Sequence, residues 1–509
     1  MTNANSPLAL VRSTIAEAND LLCSVNLLTW DARTQMPKAG AEARGKMLAT
    51  LTRIVRHQLT SDEFAERLAR AEEGAVGEVA AELAQIREGT DVLRRIPARL
   101  LSDIAELKAR AGETWQAARR NNDFGSFAPD LERMVGLNRE LAAAIGFDEH
   151  PYDALVGSYE PGMTSARLAT LFEELRGGIL PLLAAVKERG AEPDTSFLSQ
   201  RDYPITSQLK AAEQFASLVG YDLERGRIDR SVHPFEISFT RDDVRITTRF
   251  NPNWMPMSLF GALHEAGHAL YEQGVKPDYA RTVFTTDLVG LYAVAGTSYG
   301  THESQSRLWE NLVGRDASFW RAHYSALQAI YPAQLEGIGV DKFVRAVNAV
   351  RPGFIRVEAD ELTYNLHIML RVELEMALMD GSLAVTDIPE AWNEKTREYL
   401  GLEVPSNADG CLQDIHWSTG LIGAFSTYTI GNVMSVQWLE AAKRQDPNVA
   451  PALERGDVAP LRTWLQENVY QHGRRYSPDE LLVRATGQSL TAAPYLDYLA
   501  RKYRELYAI

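Results

Sequence analysis

Five consecutive residues, His264-Glu265-Ala266-Gly267-His268, have the types and spacing of a metal-dependent hydrolytic site. Side chains four positions apart on an α-helix lie on the same face, so His264 and His268 can direct a ring nitrogen at one point. Zinc binds imidazole nitrogen and prefers four tetrahedral ligands. Glu265 projects beside that point, where it can accept a proton from a metal-bound water. The motif therefore predicts a zinc site with a general base.

The residues that flank this motif favour metal binding over its alternative, two surface histidines on an amphipathic helix. The flanking positions are apolar or small, as at Leu259, Phe260, Leu263 and Ala269, which predicts a largely buried helix. Buried polar groups need partners. A bound metal ion would be that partner.

A catalytic zinc needs a third protein ligand and an open position for water. Glu272 lies one turn beyond His268, about 6 Å further along the helix axis, and would point past the metal. Asp287 follows in a loop-like stretch. Glu303 opens a new helix with an apolar side, and a glutamate from a second packed helix completes the His₂Glu set of the gluzincin peptidases. We favour Glu303 over the other acids.

Hydrolysis of an amide also produces an oxyanion that needs hydrogen-bond donors. Two candidates stand downstream, His416 in the segment from Gly410 to Trp417 and Tyr428 in the segment from Ser426 to Gly431. The alternatives are a packed core histidine and a half-buried phenol, and the periodicity alone leaves both interpretations open.

The elements that must position these residues are mainly helices, because apolar residues recur at three- and four-residue spacing through most of the chain. The predicted helices before the motif cover 8–27, 38–58, 62–92, 94–121, 127–145, 164–189 and 207–220. From the motif onward they cover 257–273, 302–313, 316–330, 340–350, 358–380, 387–399, 419–445, 459–470, 477–485 and 489–507.

Residues 235–250 are the exception, because apolar and polar residues alternate there with a period of two. The pattern predicts a β-hairpin that turns at 241–243, just before the metal-binding helix. An open edge of this sheet could hold an extended peptide by main-chain hydrogen bonds, and the alternative is a small sheet that covers the core.

No internal repeat or long linker divides the chain, so we expect one large body over residues 1–509. Within it we expect an N-terminal helical part at about 1–230, a hairpin and metal-site part at about 231–430, and C-terminal helices at about 431–509.

Charge and composition limit the classes of binding partner and the cellular compartment that we expect for this chain. The net charge of −15 argues against nucleic acid or an anionic membrane as a main partner. Cys23 and Cys411 allow at most one disulfide, which suits a reducing cytoplasm. The N-terminus lacks a signal-peptide pattern, and no apolar run reaches 18 residues. We expect a cytoplasmic protein.

An ordered series of motifs resembles the carboxypeptidase Taq family of zinc metallocarboxypeptidases, over nearly the whole chain. The motifs are the segments Trp30 to Pro37, His233 to Phe235, Asp243 to Thr247, His264 to His268, His302 to Ser304, Ile355 to Asp360, Gly410 to Trp417 and, at the end, Gly473 to Tyr503.

The resemblance implies an all-α, saddle-shaped gluzincin (neurolysin-like) body with a deep groove and a small sheet beside the metal. It implies a cytoplasmic homodimer that removes C-terminal residues with broad specificity, with proline disfavoured. It implies one zinc ion per chain, for which cobalt can substitute. His264, His268 and Glu303 would be the ligands and Glu265 the base. Related helical zinc peptidases, the neurolysin and angiotensin-converting-enzyme groups, place a His and a Tyr in similar order as oxyanion donors. The resemblance therefore also favours this role for His416 and Tyr428.

A carboxypeptidase must recognise a free α-carboxylate, which the guanidinium fork of arginine binds in a bidentate manner. Arg356 is our first candidate, and Arg245 in the hairpin is the second. The alternative is that either one pairs structurally with Asp243, Glu358 or Asp360.

Two further functions remain as alternatives. One is a helical zinc endopeptidase or oligopeptidase, and the other is a peptide-binding protein with a structural metal, against which the intact Glu265 argues. The connection from Gly274 to Gly300 looks longer than in typical members of the family. Its apolar part, from Val283 to Val294, is expected to pack against the body.

Overall fold

The computed structural model describes residues 6–285 and 298–509, and helices dominate both ranges. The helices before the sheet are α1 (Pro7–Thr34), α2 (Ala41–Thr60), α3 (Asp62–Glu72), α4 (Gly77–Arg95), α5 (Ala98–Asn121), α6 (Phe124–Ile145), α7 (Pro151–Tyr159), α8 (Ser165–Arg189), α9 (Ser196–Ser199) and α10 (Ile205–Val219). The strands are β1 (Ile228–Arg230), β2 (Glu236–Thr240) and β3 (Asp243–Thr248).

The helices that follow the sheet include the one that carries the HExxH motif. They are α11 (Pro256–Gly274), α12 (Tyr299–Arg307), α13 (Ala317–Ile330), α14 (Val340–Val347), α15 (Glu361–Asp380), α16 (Ile388–Leu400), α17 (Ser426–Gln445), α18 (Val449–Glu454), α19 (Ala459–Asn468), α20 (Pro478–Thr486) and α21 (Ala493–Tyr507). A π-helical turn, Leu308–Val313, continues α12. The predicted fold class, helices with a small sheet, is confirmed.

The chain forms two compact units, each built from separate stretches of sequence. The first unit contains the described residues within 1–94, 194–347 and 434–489, and the second contains residues 95–193, 348–433 and 490–509. The predicted N-terminal part contributes to both units, so the units do not follow sequence order. The single peptidase unit over 1–509 stays a prediction.

Most predicted helices are found within a few residues of their expected ends, and the differences have local causes. The predicted helix over 62–92 is two helices, α3 and α4, because the chain turns between them with Gly74 at φ +74°. Glycine adopts this left-handed conformation without steric cost. Helix α7 was not predicted from the sequence because it is short, although Pro151 in its first turn is a typical signal for the start of a helix.

The predicted hairpin is present as β2 and β3, which pair antiparallel with Ile237 opposite Arg245. A third strand, β1, pairs with β3 in parallel, which gives the order β1-β3-β2. Three residues are too short for a period of two to be recognised in sequence. The edge of β2 is covered at two positions, because Asn26 and Cys23 of α1 donate hydrogen bonds to the carbonyl oxygens of Ser238 (3.0 Å) and Phe239 (2.7 Å). At these two residues, side chains of α1 take the place that an extended peptide would need.

Helix α11 lies inside the first unit, against β3, α10 and α12. It lies close to α12 at Gly267, where a Cβ atom would lie 2.4 Å from the carbonyl oxygen of Gln305 and 2.6 Å from the Cα atom of Ser306. Both neighbours are backbone atoms that cannot move away alone. Gly267 therefore allows the two helices to touch along the turn that carries Glu303.

The segment after α11 packs as expected in the part that the structure describes. Val275, Tyr279, Val283 and Phe284 join a buried apolar cluster with residues of α1 to α4. The remainder of the predicted apolar stretch, up to Val294, lies outside the described residues. Cys23 and Cys411 are both free thiols. Among the helices of the described ranges, none is long and apolar enough to cross a membrane.

We expect Gly267→Ala to destabilise the protein by about 1–3 kcal/mol, because the new methyl group overlaps the backbone of α12 and forces the helices apart. Gly136→Ala in α6 is the matched control, since nothing lies within 4 Å of its Cβ position, and it should leave the free energy of unfolding unchanged or raise it slightly. Urea unfolding of both variants measures the difference. Equal stability of the two would contradict the close contact.

Candidate functional site

The two motif histidines and Glu303 lie together in the first unit as a group that could hold a metal ion. Their ligand atoms all lie within 4.8 Å of one another. The Oε2 atom of Glu303 is 3.5 Å from Nε2 of His264 and 3.3 Å from Nε2 of His268. Two imidazole nitrogens and one carboxylate that converge in this way fit a divalent metal ion.

Two helices position this cluster. His264 and His268 lie one turn apart on α11, and Glu303 lies on α12, which the contact at Gly267 holds against α11. A buried ion pair and a hydrogen bond fix Glu303 itself, because Nε of Arg307 donates to its Oε1 (2.7 Å) and Oγ of Ser306 donates to its Oε2 (2.9 Å). The carboxylate is thus oriented before any metal binds.

The other ring nitrogen of His264 has a carboxylate partner. Nδ1 of His264 lies 2.9 Å from Oε2 of Glu310, a residue of the π-helical turn after α12. Arg315 and Arg307 contact the same carboxylate at 3.0 Å and 3.3 Å. A ligand histidine that donates its second N–H to a carboxylate is held in one tautomer and made a stronger donor to the metal.

His268 has a longer chain of partners. Its Nδ1 lies 2.6 Å from Nδ1 of His302, whose Nε2 lies 2.6 Å from Oε1 of Glu272. If Nε2 of His268 binds the metal, its Nδ1–H donates to His302, and Nε2–H of His302 then donates to Glu272. Each nitrogen in this series of hydrogen bonds has one role. Glu272 therefore stabilises His268 through His302, as expected of an acid that points past the metal.

Charges in the cluster suit metal binding. Burial opposes ionisation of Glu303, but Arg307 and the two histidines outweigh it and hold the pKa of Glu303 below its usual range. Burial, together with His302 and His264, lowers the pKa of His268 to about 3, so its ring is neutral. Burial also lowers the pKa of His264, yet Glu303 and Glu310 outweigh it and the net shift is upward. The ring of His264 therefore tends to hold an extra proton, which a bound metal ion would displace.

Glu265 follows His264 on α11 and is buried, with 5% of its surface exposed. Burial raises the pKa of this carboxyl to about 7, while the positive charge of His264 and of Arg33 acts in the opposite direction. A carboxylate in this range can both accept and return a proton near neutral pH.

Sequence reasoning missed the partners around the cluster, namely Arg307, Glu310 and His302. His302 could have been noticed, since it is adjacent to Glu303 in the segment that carries the family resemblance. Glu310 lies seven positions after Glu303, on the same helix face, but only the fold shows that it contacts Nδ1 of His264. Asp287, an alternative ligand, lies outside the described residues.

The two predicted oxyanion donors meet in the second unit. Nε2 of His416 lies 3.2 Å from the phenolic oxygen of Tyr428, and the imidazole packs against the ring of Phe425 with centroids 4.2 Å apart. His416 precedes a short 3₁₀ turn and Tyr428 lies in the first turn of α17. The loop-and-helix placement expected from sequence is therefore present.

Arg356 lies in the same unit and is 6% exposed. Its Nε donates to Oδ1 of Asp414 (2.9 Å) and its Nη1 donates to the hydroxyl of Tyr364 (3.1 Å). Arg371 donates to the other oxygen of Asp414 at 2.7 Å. The partner of Arg356 is thus Asp414, and neither Glu358 nor Asp360.

Arg245 forms a bidentate pair with Asp243, with Nε–Oδ1 at 2.8 Å and Nη2–Oδ2 at 2.9 Å. Its guanidinium also lies over the rings of Trp30 (4.5 Å) and Phe239 (4.8 Å). Asp243 was one of the structural partners considered from sequence. The role of Arg245 and of Arg356 in substrate binding stays a prediction.

Comparison with known proteins agrees with this geometry. Residues 11–503 match the family described as carboxypeptidase Taq (M32) metallopeptidase. The chain is 40% identical to thermostable carboxypeptidase 1 of Thermus thermophilus (94% of this chain, 95% of the relative) and 38% identical to carboxypeptidase 1 of Bacillus subtilis (96% of each). The crystal structure of an M32 carboxypeptidase from Deinococcus radiodurans R1 superimposes with a TM-score of 0.94 at 40% identity, covering 99% of this chain and 100% of that one.

We expect Glu310→Gln to lower the affinity for the metal by about 10- to 100-fold, because the amide is a weaker acceptor for Nδ1–H of His264. Competition with a chromogenic chelator measures this affinity. Glu440→Gln is the control, since Glu440 pairs with Lys443 at a half-exposed position of α17, and its affinity should match that of the unchanged protein. An unaltered affinity in Glu310→Gln would contradict the supporting role of Glu310.

Proposed function

The chain belongs to the carboxypeptidase Taq (M32) family of metallopeptidases, and we propose that it is a zinc-dependent carboxypeptidase that removes the C-terminal residue of peptides. We propose broad specificity, with C-terminal proline disfavoured. The observation that supports this most is the convergence of His264, His268 and Glu303, with the buried Glu265 adjacent to the first ligand.

His264, His268 and Glu303 would hold the metal. A bound zinc ion supplies Lewis-acid polarisation of the scissile carbonyl and acidifies water. The His₂Glu donor set is the one that zinc peptidases use, which supports zinc over a harder cation. Cobalt has similar ligand preferences, and we propose that it can substitute.

Glu265 would act as the general base and then as the general acid. It accepts the proton of the attacking water and passes a proton to the leaving amine. Its burial supports this role, because a carboxyl whose pKa is raised to about 7 can take up and release a proton near neutral pH. No other acidic residue is in the HExxH segment of α11.

We propose His416 and Tyr428 as donors to the oxyanion. The 3.2 Å contact between them supports the proposal, since it places the Nε2 atom of the imidazole and the phenol oxygen side by side. Two such donors can bind one oxygen on which negative charge develops. Recognition of the substrate α-carboxylate by an arginine is part of the proposal, with Arg356 and Arg245 as the candidates from sequence.

We further propose a cytoplasmic homodimer with peptides as its main partners. The two free cysteines suit a reducing compartment. The net charge of −15 disfavours nucleic acid and anionic membranes as partners. The dimer rests on the family resemblance alone, and sedimentation of the purified protein tests it.

The proposed activity can be tested with N-blocked peptides that have either a free or an amidated C-terminus. We expect release of single C-terminal residues from the free form and much slower cleavage of the amide, because the amide lacks the carboxylate that an arginine binds. Mass spectrometry with and without a chelator reads the products, and chelation should abolish release. Equal rates on both forms, or internal cleavage, would instead indicate an endopeptidase or oligopeptidase.

Glu265→Gln should retain the metal but reduce kcat by several decades, since the amide cannot accept the proton of water. Metal content is measured on the same sample as the rate. Glutamine has nearly the same shape as glutamate, so the variant should keep the fold. A variant with a normal metal content and near-normal kcat would refute the assignment of the base.

A further inference from the structure

In the second unit, His416 lies between two residues that are both bonded to the same helix. Asp414, two positions before it, accepts a hydrogen bond from Nε of Arg371 at 2.7 Å. Trp417, the next residue, donates from its Nε1 to Oε1 of Glu375 at 2.9 Å. Arg371 and Glu375 are four positions apart on α15, so their side chains leave this helix on the same face. Helix α15 therefore fixes the chain on both sides of His416.

The carboxylate of Glu375 also holds the loop that leads to Tyr428. Its Oε2 accepts hydrogen bonds from the backbone N–H of Gly423 (3.0 Å) and from the hydroxyl of Tyr152 in α7 (3.0 Å). The carbonyl oxygen of Gly423 accepts in turn from Oγ of Ser426, the first residue of α17, at 3.1 Å. Tyr428 follows two positions later. One carboxylate is thus bonded near both ends of the segment that joins the two proposed oxyanion donors.

These hydrogen bonds leave the loop little freedom to move. Glu375 is completely buried, and a carboxylate in such a place is tolerated only when hydrogen bonds replace its lost water. Its donors Trp417, Gly423 and Tyr152 all come from outside α15, so the bonds connect separate elements. The loop also lies close to α7, because a Cβ atom at Gly423 would be 2.9 Å from the backbone carbon of Leu155. A shift of the loop would therefore leave a buried acid without its donors.

We propose that Glu375 is a positioning residue, which holds His416 and Tyr428 in the arrangement that lets both donate to the oxyanion. This inference rests on the proposed function, in which these two side chains stabilise the transition state. Nε2 of His416 and the phenol oxygen of Tyr428 are 3.2 Å apart. Donors that share one oxygen must be held to within about 0.5 Å of the productive geometry. A carboxylate bonded near both ends of the connecting segment sets that spacing.

Glu375→Gln tests the proposal in the zinc-loaded full chain. The amide keeps the shape of the side chain, but one of its two terminal atoms becomes an N–H donor. That donor would face either the indole N–H of Trp417 or the backbone N–H of Gly423, and neither of these can accept a hydrogen bond. We expect the loop to shift and kcat for N-blocked peptides with a free C-terminus to fall by roughly 10- to 100-fold. KM and zinc content should stay nearly unchanged, because the lost interaction is made in the transition state.

Glu361→Gln is the matched control, because Glu361 is another carboxylate on α15 whose side chain is only 5% exposed. Its hydrogen-bond partners, Tyr498 and Lys502, belong to α21 and not to the segment that carries the donors. We expect this variant to lower the free energy of unfolding, as Glu375→Gln does, but to leave kcat unchanged. Urea unfolding and steady-state kinetics of both variants make the comparison.

A double-mutant cycle separates positioning from a general structural role. The background His416→Ala with Tyr428→Phe has no oxyanion donors left to position. Adding Glu375→Gln to this background should therefore change the residual kcat by less than about threefold. Trp417→Phe removes one hydrogen bond to Glu375 and keeps an aromatic ring, so it provides the same comparison if Glu375→Gln does not fold. Its loss of kcat should be smaller, and it should also disappear in the background without donors.

A normal kcat in Glu375→Gln would overturn the proposal. An equal fold-loss of kcat with and without the two donors would also overturn it, since Glu375 would then support the fold in general. Failure of the proposed function has a different signature. In that case the unchanged protein releases no C-terminal residues, or removal of His416 and Tyr428 leaves kcat unaltered whichever residue occupies position 375.

Discussion

The contact between α11 and α12 at Gly267 is the constraint on which the site depends. A methyl group at this position would lie 2.4 Å from a backbone oxygen of α12. Because the two backbones touch, Glu303 is close enough to share one ion with His264 and His268. A wider spacing would leave two histidines without a third ligand. Gly267, which is neither a ligand nor a base, therefore sets the geometry of the cluster.

The close contact also buries charge, and the neighbouring residues compensate for it. Glu303, Arg307, Glu310 and Arg315 alternate in sign along one stretch of chain, and each contacts the next. A buried charge is tolerated when it is paired and hydrogen-bonded. The same residues hold the ligands in place, so the pairing that makes the burial possible also prepares the site for a metal ion.

Local patterns predicted the grouping of His264, His268 and Glu303 and the hairpin, both of which the structure contains. The features that could not be predicted depend on tertiary contacts. Glu303 could be predicted because a helix start with an apolar side is visible in sequence. The role of Glu310 depends on its contact with His264 of another helix, and the three residues of β1 are too few to show a period. Whether an arginine is paired depends on which acid lies beside it in space. For that reason the sequence suggested Arg245 and Arg356, and only the fold shows that Asp243 and Asp414 are their partners.

The central claim, that His264, His268 and Glu303 hold one catalytic metal, is tested most directly by anomalous diffraction from crystals of the zinc-loaded protein. A single strong peak at the zinc edge should lie about 2.0–2.2 Å from Nε2 of both histidines and from a carboxylate oxygen of Glu303. A peak elsewhere, or coordination that excludes Glu303, would contradict the account.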